Sequence, residues 1–166
     1  MYDEIFDEKD MIKFQNQLIN NKQTITTAES CTGGLIASMI TEISGSSSIF
    51  NGAIITYSNE IKEQEIFVKK DTMMKFGVVS CEVVDEMLQG VIKKFNADFA
   101  MAVSGIAGPN GGTKNKPVGT VAIGVLSKDG EKEIKIFHFK GTRKDVQIQT
   151  AKTALKLNFE ILLKNS

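Results

Sequence analysis

The sequence is poor in the residue types that mark several special classes of protein. It contains no tryptophan, one histidine, two cysteines and two prolines among its 166 residues. Two cysteines do not make the disulfide framework of a small secreted domain. One histidine and no C-x-x-C pair leave little to hold zinc, so we expect no metal ion and no cofactor. No apolar run approaches the roughly 20 residues that a membrane-spanning helix needs.

The charge is balanced, which argues against a nucleic-acid partner. Twenty lysines and arginines offset twenty aspartates and glutamates, so the net charge is zero and no basic footprint is present. The acidic N-terminus, residues 1–4, lacks the basic and apolar regions of a signal peptide. We therefore expect a cytoplasmic protein without nucleic-acid or membrane partners. The length predicts one domain over residues 1–166 with a substantial core, and the sequence leaves open whether this domain forms a homo-oligomer.

The apolar periodicity alternates between helical and strand spacing along the chain. Such alternation, followed by a hairpin at Asp129-Gly130 and a last helix, predicts an α/β fold. We expect a single three-layer α/β/α domain with a mixed, mostly parallel sheet. The predicted helices are 10–20, 33–43, a short one from Ser58 or Asn59, another turn from Asp71, one opened by Ser80 that runs to Phe95, and one from Thr142 to about 163; the predicted strands are 24–29, 50–57, 97–104, 118–126 and 132–140.

The octet at 27–34, Thr-Ala-Glu-Ser-Cys-Thr-Gly-Gly, lies where the first strand passes into a helix. Such a turn exposes Ser30 beside the N–H groups of a helix N-terminus, which can hold an anion or a developing oxyanion. The geometry resembles a nucleophile elbow, although the usual G-x-S-x-G pattern is absent. The alternative is that Ser30 and Thr32 are helix caps and that the glycines only permit the turn.

Two further hydroxyl groups come at the ends of predicted strands, Tyr57 and Ser104. Ligands of α/β sheets bind at the carboxyl ends of the strands, so these side chains are expected to approach Ser30. Ser104 also begins a glycine-rich stretch, 104–112, whose N–H groups can form an anion-binding nest or a plain surface loop. It is neither a Walker A loop nor a G-x-G-x-x-G fingerprint, so ATP, and NAD as a hydride carrier, are not supported.

A serine nucleophile needs a base, and His138 is a poor candidate because it lies in an alternating strand. Lys62 is expected near the third position of a helix, where the positive helix end and partial burial disfavour an ammonium. Ser–Lys pairs act as nucleophile and base in known hydrolases. The alternative is a solvated lysine. Cys31 is a second candidate nucleophile, since a helix N-terminus can lower a thiol pKa, although a cysteine there can equally be packing.

These pieces together resemble the CinA C-terminal domain family, named after the competence/damage-inducible protein CinA. The resemblance covers residues from about 24 to 145 in order, so it is specific. The motifs that carry it are Thr27-Ala28-Glu29-Ser30-Cys31-Thr32-Gly33-Gly34, Thr56-Tyr57-Ser58-Asn59 with Lys62, Val79-Ser80, Ser104-Gly105-Ile106-Ala107-Gly108-Pro109-Asn110-Gly111-Gly112, Lys116-Pro117-Val118-Gly119-Thr120-Val121, and Gly141 with Arg143.

The resemblance implies hydrolysis of the carboxamide of nicotinamide mononucleotide (NMN) to nicotinate mononucleotide and ammonia. It places a Ser/Lys mechanism on Ser30 and Lys62, with Tyr57 in the site. Larger family members carry an extra N-terminal domain for which 166 residues leave no room, so the chain looks like the stand-alone form. The alternative is a non-catalytic nucleotide-binding or regulatory domain that keeps the pocket.

Substrate-binding residues are assigned on the same basis. The backbone of the octet after Ser30 is expected to form the oxyanion hole. The glycine loop and an arginine are expected to hold the phosphate. The residues assigned in this way are Cys31, Thr32, Gly33, Gly34, Ser104, Gly105, Ala107, Gly108 and Arg143.

Overall fold

A computed structural model describes all residues, 1–166. The chain forms six α-helices and five β-strands, and Ser46–Ser48 forms a single 3-10 turn between α2 and β2. The elements are α1 Glu8–Asn21, β1 Ile25–Glu29, α2 Leu35–Thr41, β2 Ile54–Ile55, α3 Asn59–Ile66, α4 Lys70–Phe76, α5 Cys81–Phe95, β3 Phe99–Gly105, β4 Thr120–Ser127, β5 Lys132–His138 and α6 Arg143–Lys164.

The five strands form one mixed sheet in the order β2-β1-β3-β4-β5. The β2-β1-β3 part is parallel, whereas β4 pairs antiparallel with both β3 and β5. The β4–β5 hairpin turns at Gly130, whose φ of 96° lies in the left-handed region that glycine readily adopts. The parallel strands all point their carboxyl ends toward the same edge, so the loops that follow β1, β2 and β3 meet there.

Helices cover both faces of the sheet, as the predicted three-layer α/β/α architecture requires. α5 packs on one face against small residues of the strands, which let the helix approach closely. α1, α2 and α6 cover the other face, and six fully buried side chains of this layer are Phe14, Leu18, Ile36, Ile40, Ala151 and Ala154. The longest helix, α6, has 22 residues, and no helix is apolar over a length that would span a membrane.

Most predicted elements are shifted by a residue or two at their ends, and two of the differences affect the edge of the sheet where the predicted site lies. The strand predicted over 50–57 is reduced to Ile54–Ile55, and before it only an isolated bridge between Ile25 and Phe50 pairs this stretch with β1. Between the two, the Thr26 hydroxyl of β1 donates to the carbonyl of Gly52 at 2.8 Å. The helix predicted from residue 33 begins at Leu35, because Gly33 and Gly34 have φ values of 60° and 101°, outside the helical region.

Candidate active site

A cleft with a volume of about 320 Å³ opens at the carboxyl edge of the sheet. Its walls come from the turn after β1, the β2–α3 connection, the residues before α5, the glycine-rich loop after β3, and the start of α6. The cleft contains every site residue predicted from the sequence except Thr32, Gly33 and Gly34, and its lining residues are Ser30, Cys31, Tyr57, Asn59, Lys62, Val78, Val79, Ser104, Gly105, Ile106, Ala107, Gly108, Asn110, Gly111 and Arg143.

Ser30 and Lys62 meet at the floor of this cleft, although 32 positions separate them in sequence. Ser30 directly follows β1 and Lys62 lies in α3, whose N-cap Ser58 accepts from the Ile61 N–H. The Lys62 Nζ lies 3.3 Å from the Ser30 Oγ and donates to the Thr56 carbonyl at 2.7 Å. The Thr56 carbonyl thus holds one N–H of the amine and leaves the rest of the group facing Ser30.

The environment of Lys62 favours its neutral form. Only 1% of the residue is exposed, and no carboxylate forms an ion pair with it. Burial of the amine lowers the pKa of Lys62 below its usual value, opposed only by a weaker attraction to Cys31. Removing a charge from water without a compensating partner disfavours the ammonium, so the solvated-lysine alternative does not describe this side chain.

Glu29, which sequence reasoning did not single out, is a fully buried carboxylate next to Ser30. It accepts the Thr32 hydroxyl at 2.6 Å and the N–H groups of Ile36 and Ala37 at 2.9 Å each, with a longer bond of 3.2 Å from the Gly34 N–H. An anion at a helix N-terminus satisfies unpaired donors and interacts favourably with the helix dipole. An acidic residue just before a predicted helix was the available sequence signal.

The hydrogen bonds of Glu29 correct the expectation that the backbone N–H groups from Cys31 to Gly34 are all free to form an oxyanion hole. The Gly34 N–H is held by Glu29, and the Gly33 N–H donates to the Ser30 carbonyl at 3.0 Å. Among the residues that follow Ser30 in the octet, only Cys31 and Thr32 have N–H groups that make no hydrogen bond to another residue. The N-terminus of α2 is therefore occupied by a side chain of the protein, and the donors left beside Ser30 are those two.

The Cys31 thiol is poorly suited to act as a nucleophile. It is 5% exposed, and burial raises its pKa to about 12. At neutral pH almost none of it is thiolate, which is the reactive form. The Cys31 carbonyl accepts from the Gln147 side chain of α6 at 2.9 Å, which ties the turn after β1 to that helix.

Arg143 joins two sides of the cleft mouth. It is the first residue of α6, which Thr142 and Asp145 cap in a reciprocal capping box. The guanidinium donates to the Gly108 carbonyl at 2.6 Å and to the Tyr57 hydroxyl at 2.8 Å. Tyr57 is 60% exposed, so this contact holds an otherwise free aromatic ring at the rim.

The glycine-rich loop is shaped by close packing against Val121 of β4 and against Val118, which lies shortly before that strand. A Cβ at Gly105 would lie 2.6 Å from a methyl group of Val121, and one at Gly108 would lie 2.4 Å from a methyl group of Val118. Gly108 also has a φ of 85°. Glycine is therefore required at both positions. Ser104 is almost fully buried and its hydroxyl donates to the Val78 carbonyl at 2.9 Å, so it fixes the cleft wall.

Arg143 gives the cleft a positive charge that no carboxylate of the lining offsets. The lining contains no aspartate or glutamate, so the guanidinium of Arg143 suits a ligand that carries an anionic group. His138 lies outside it, exposed on β5, with its Nδ1 3.3 Å from the Thr120 hydroxyl. No group of three or more histidine, cysteine, aspartate or glutamate side chains is arranged to hold a metal ion.

Comparison with known proteins assigns the chain to one family. Residues 8–162 match the family described as "CinA C-terminal domain". A CinA-like protein of Endomicrobium trichonymphae is 52% identical over 140 residues, covering 84% of this chain and 32% of that protein. A putative competence-damage inducible protein of Clostridium novyi is 48% identical over 139 residues, covering 84% of this chain and 33% of the relative.

Solved structures agree with the sequence relatives. A competence/damage inducible protein from Agrobacterium tumefaciens superposes with a TM-score of 0.86 at 34% identity, covering 95% of this chain and 96% of that one. A CinA superfamily protein from Klebsiella pneumoniae gives a TM-score of 0.88 at 31% identity, covering 93% and 96% of the two chains. The chain spans about a third of the length of the curated relatives that it matches. It belongs to the CinA C-terminal domain family.

Proposed function

We propose that this protein is an amidohydrolase that converts NMN to nicotinate mononucleotide and ammonia through Ser30 and Lys62. The observation that carries the proposal is the buried Lys62 amine, with a lowered pKa, 3.3 Å from the Ser30 hydroxyl. The names of the relatives refer to competence and damage and specify no reaction. The chemistry of the cleft therefore supports the proposal, together with the family resemblance of its motifs.

In the first half of the reaction, Ser30 Oγ attacks the carboxamide carbon while neutral Lys62 takes the hydroxyl proton. The tetrahedral intermediate then collapses as Lys62 returns this proton to the amide nitrogen, and ammonia leaves. The product is an ester between Ser30 and the nicotinate carbonyl. The positive pyridinium nitrogen of NMN withdraws electron density from the ring, which makes the carboxamide carbon a better electrophile.

In the second half, a water molecule attacks the ester carbonyl. Lys62 again acts as the base, takes a proton from the water, and delivers it to Ser30 Oγ as the ester bond breaks. Nicotinate mononucleotide leaves and the starting hydroxyl is restored. The Thr56 carbonyl holds one N–H of Lys62 at 2.7 Å, which keeps the nitrogen lone pair directed at Ser30 in both steps.

The remaining cleft residues have roles that fit a phosphorylated amide. The free N–H groups of Cys31 and Thr32 are the candidate oxyanion donors, each contributing up to about 3 kcal/mol to the transition state. The half-buried side chains of Val78, Val79 and Ile106 offer an apolar wall for the pyridine ring. The Arg143 guanidinium at the cleft mouth is the candidate phosphate ligand, with Tyr57 and the glycine loop beside it.

The test is ammonia release from NMN by the wild-type protein and by Ser30→Ala. The substitution removes one oxygen from a turn whose backbone hydrogen bond, from the Gly33 N–H to the Ser30 carbonyl, stays intact. We expect kcat to fall at least about 1,000-fold. The matched control is Ser38→Ala, the same change at an exposed position of α2, which should keep kcat within about twofold because surface substitutions are usually mild.

The same experiment distinguishes the enzyme from a regulatory nucleotide-binding domain. A wild-type protein that binds NMN in calorimetry but releases no ammonia would contradict the amidohydrolase proposal and favour a binding domain. A folded Ser30→Ala variant that turns over at the wild-type rate would remove Ser30 from the mechanism. Comparable circular dichroism spectra of the three proteins establish that the variants are folded.

A further inference from the structure

Gly90 lies in the middle of α5, where it touches the last residue of α3. A Cβ at this position would lie 2.0 Å from the Ile66 carbonyl oxygen and 2.8 Å from the Ile66 Cβ. Real Cβ atoms essentially never approach another heavy atom closer than 3.0 Å, so any side chain here would force the two helices apart by about 1 Å. The contact exists only because residue 90 has no side chain.

Glycine is an unfavourable choice inside a helix, since it loses more backbone entropy on folding than alanine does. α5 has 15 residues and Gly90 lies well inside it. Helix propensity alone would favour alanine at this position. The close approach to α3 is the physical reason for a glycine here.

The helix that would yield to a larger residue is α3. α5 is anchored by six buried apolar side chains, whereas α3 has eight residues and buries only Lys62 and Ile66. These two side chains are one helical turn apart on the same face of α3. A displacement of α3 at Ile66 is therefore carried directly to Lys62.

We propose that Gly90 is a positioning residue for catalysis. By having no side chain, it lets α3 lie at the depth at which the Lys62 Nζ reaches the Ser30 Oγ. This inference rests on the proposed Ser/Lys amidohydrolase function. It adds a residue outside the cleft and outside all the motifs that indicated the function.

The Lys62–Ser30 contact is sensitive to such a displacement. Its Nζ–Oγ distance is 3.3 Å, close to the outer limit for proton transfer through a hydrogen bond. A misplacement of about 1 Å at a reacting group can cost about 100-fold in rate. The Arg143 and glycine-loop walls of the cleft come from other elements, so substrate binding depends on α3 much less than proton transfer does.

The experiment measures kcat and KM for NMN in wild-type protein, in Gly90→Ala and in Gln89→Ala as the control. Gln89 is the exposed neighbour on α5, so its change tests substitution in the helix without the clash. We expect Gly90→Ala to lose about 100-fold in kcat with KM within about threefold. Gln89→Ala should match the wild type in both constants.

Each other outcome has a defined meaning. An active wild type together with a folded Gly90→Ala variant of unchanged kcat would overturn the inference alone. A parallel change in both constants, without a selective loss of kcat, would also overturn it, because a merely structural role predicts that pattern. A wild type without activity toward NMN would contradict the proposed function itself, and the positioning role with it.

If Gly90→Ala does not fold, Ile66→Val tests whether the packing of α3 at Ile66 sets the position of Lys62. Ile66 is buried, and this change removes its terminal methyl group, which loosens the packing of α3 but keeps the carbonyl and Cβ that lie against Gly90. We expect a lower kcat at unchanged KM, in the range of about threefold to tenfold. A folded Ile66→Val protein with wild-type kcat would contradict the positioning role.

Discussion

Glu29 is expected to be the most important polar side chain for the stability of the site, and Glu29→Ala tests this. The substitution removes the acceptor for the Thr32 hydroxyl and for three N–H groups at the start of α2. Each buried donor left without a partner costs about 1–3 kcal/mol. The four are not additive because the turn relaxes, and loss of one member of a buried charged network costs about 3–5 kcal/mol in total.

Urea denaturation measures this loss. With an m-value of about 2 kcal/mol/M, a destabilisation of about 4 kcal/mol lowers the midpoint by about 2 M. This is a large part of the 5–15 kcal/mol that stabilises a typical domain. Glu29→Gln should lose less, because it keeps the side-chain volume and one acceptor oxygen.

The control is Glu42→Ala at the other end of the same helix. Glu42 is exposed and has no hydrogen-bond partner for its carboxylate, so the midpoint should shift by less than about 0.5 M. A Glu29→Ala midpoint within about 0.5 M of the wild type would refute the reasoning. It would mean that water replaces the carboxylate at the helix N-terminus without a net cost.

Two further predictions concern pH and the phosphate. Burial lowers the pKa of Lys62, and Lys62 must be neutral to act as the base. We therefore expect kcat to be constant above the folded-state pKa of Lys62 and to fall about tenfold per pH unit below it. A kcat that is independent of pH down to pH 5 would contradict this prediction. Arg143→Lys keeps the positive charge but cannot make both hydrogen bonds of the guanidinium, to Gly108 and to Tyr57. The KM for NMN should therefore rise about tenfold or more. Nicotinamide riboside has no phosphate, so activity on this substrate should stay within about twofold of the wild type. Equal effects on the two substrates would argue against a phosphate contact.

Local signals in the sequence were sufficient for most of the fold. Ser58, Ser80 and Thr142 each cap the helix predicted after them, because a hydroxyl before an apolar helical run acts on its own neighbours. The hairpin at Asp129-Gly130 is formed by similarly local chemistry. The convergence of Ser30, Tyr57 and Ser104 in one cleft follows from the parallel direction of β1, β2 and β3.

Features that depend on tertiary packing were not predictable in the same way. The sequence places Lys62 in the first part of a helix, but its burial depends on how α3 packs against its neighbours. The Arg143–Tyr57 hydrogen bond joins residues 86 positions apart. The role of Glu29 depends on two glycines with positive φ that delay the start of α2 until Leu35, which brings the helix N–H groups back to the carboxylate.

The most direct test of the Ser/Lys account is the turnover number of Lys62→Arg compared with Lys62→Ala at saturating NMN. Arginine keeps the positive charge and most of the length but cannot lose a proton in a protein. If Lys62 is the base, both variants should be inactive to a similar degree, even where Lys62→Arg still binds NMN. Substantial activity in Lys62→Arg, with Lys62→Ala inactive, would show that the residue acts by its charge and would contradict the Ser/Lys mechanism.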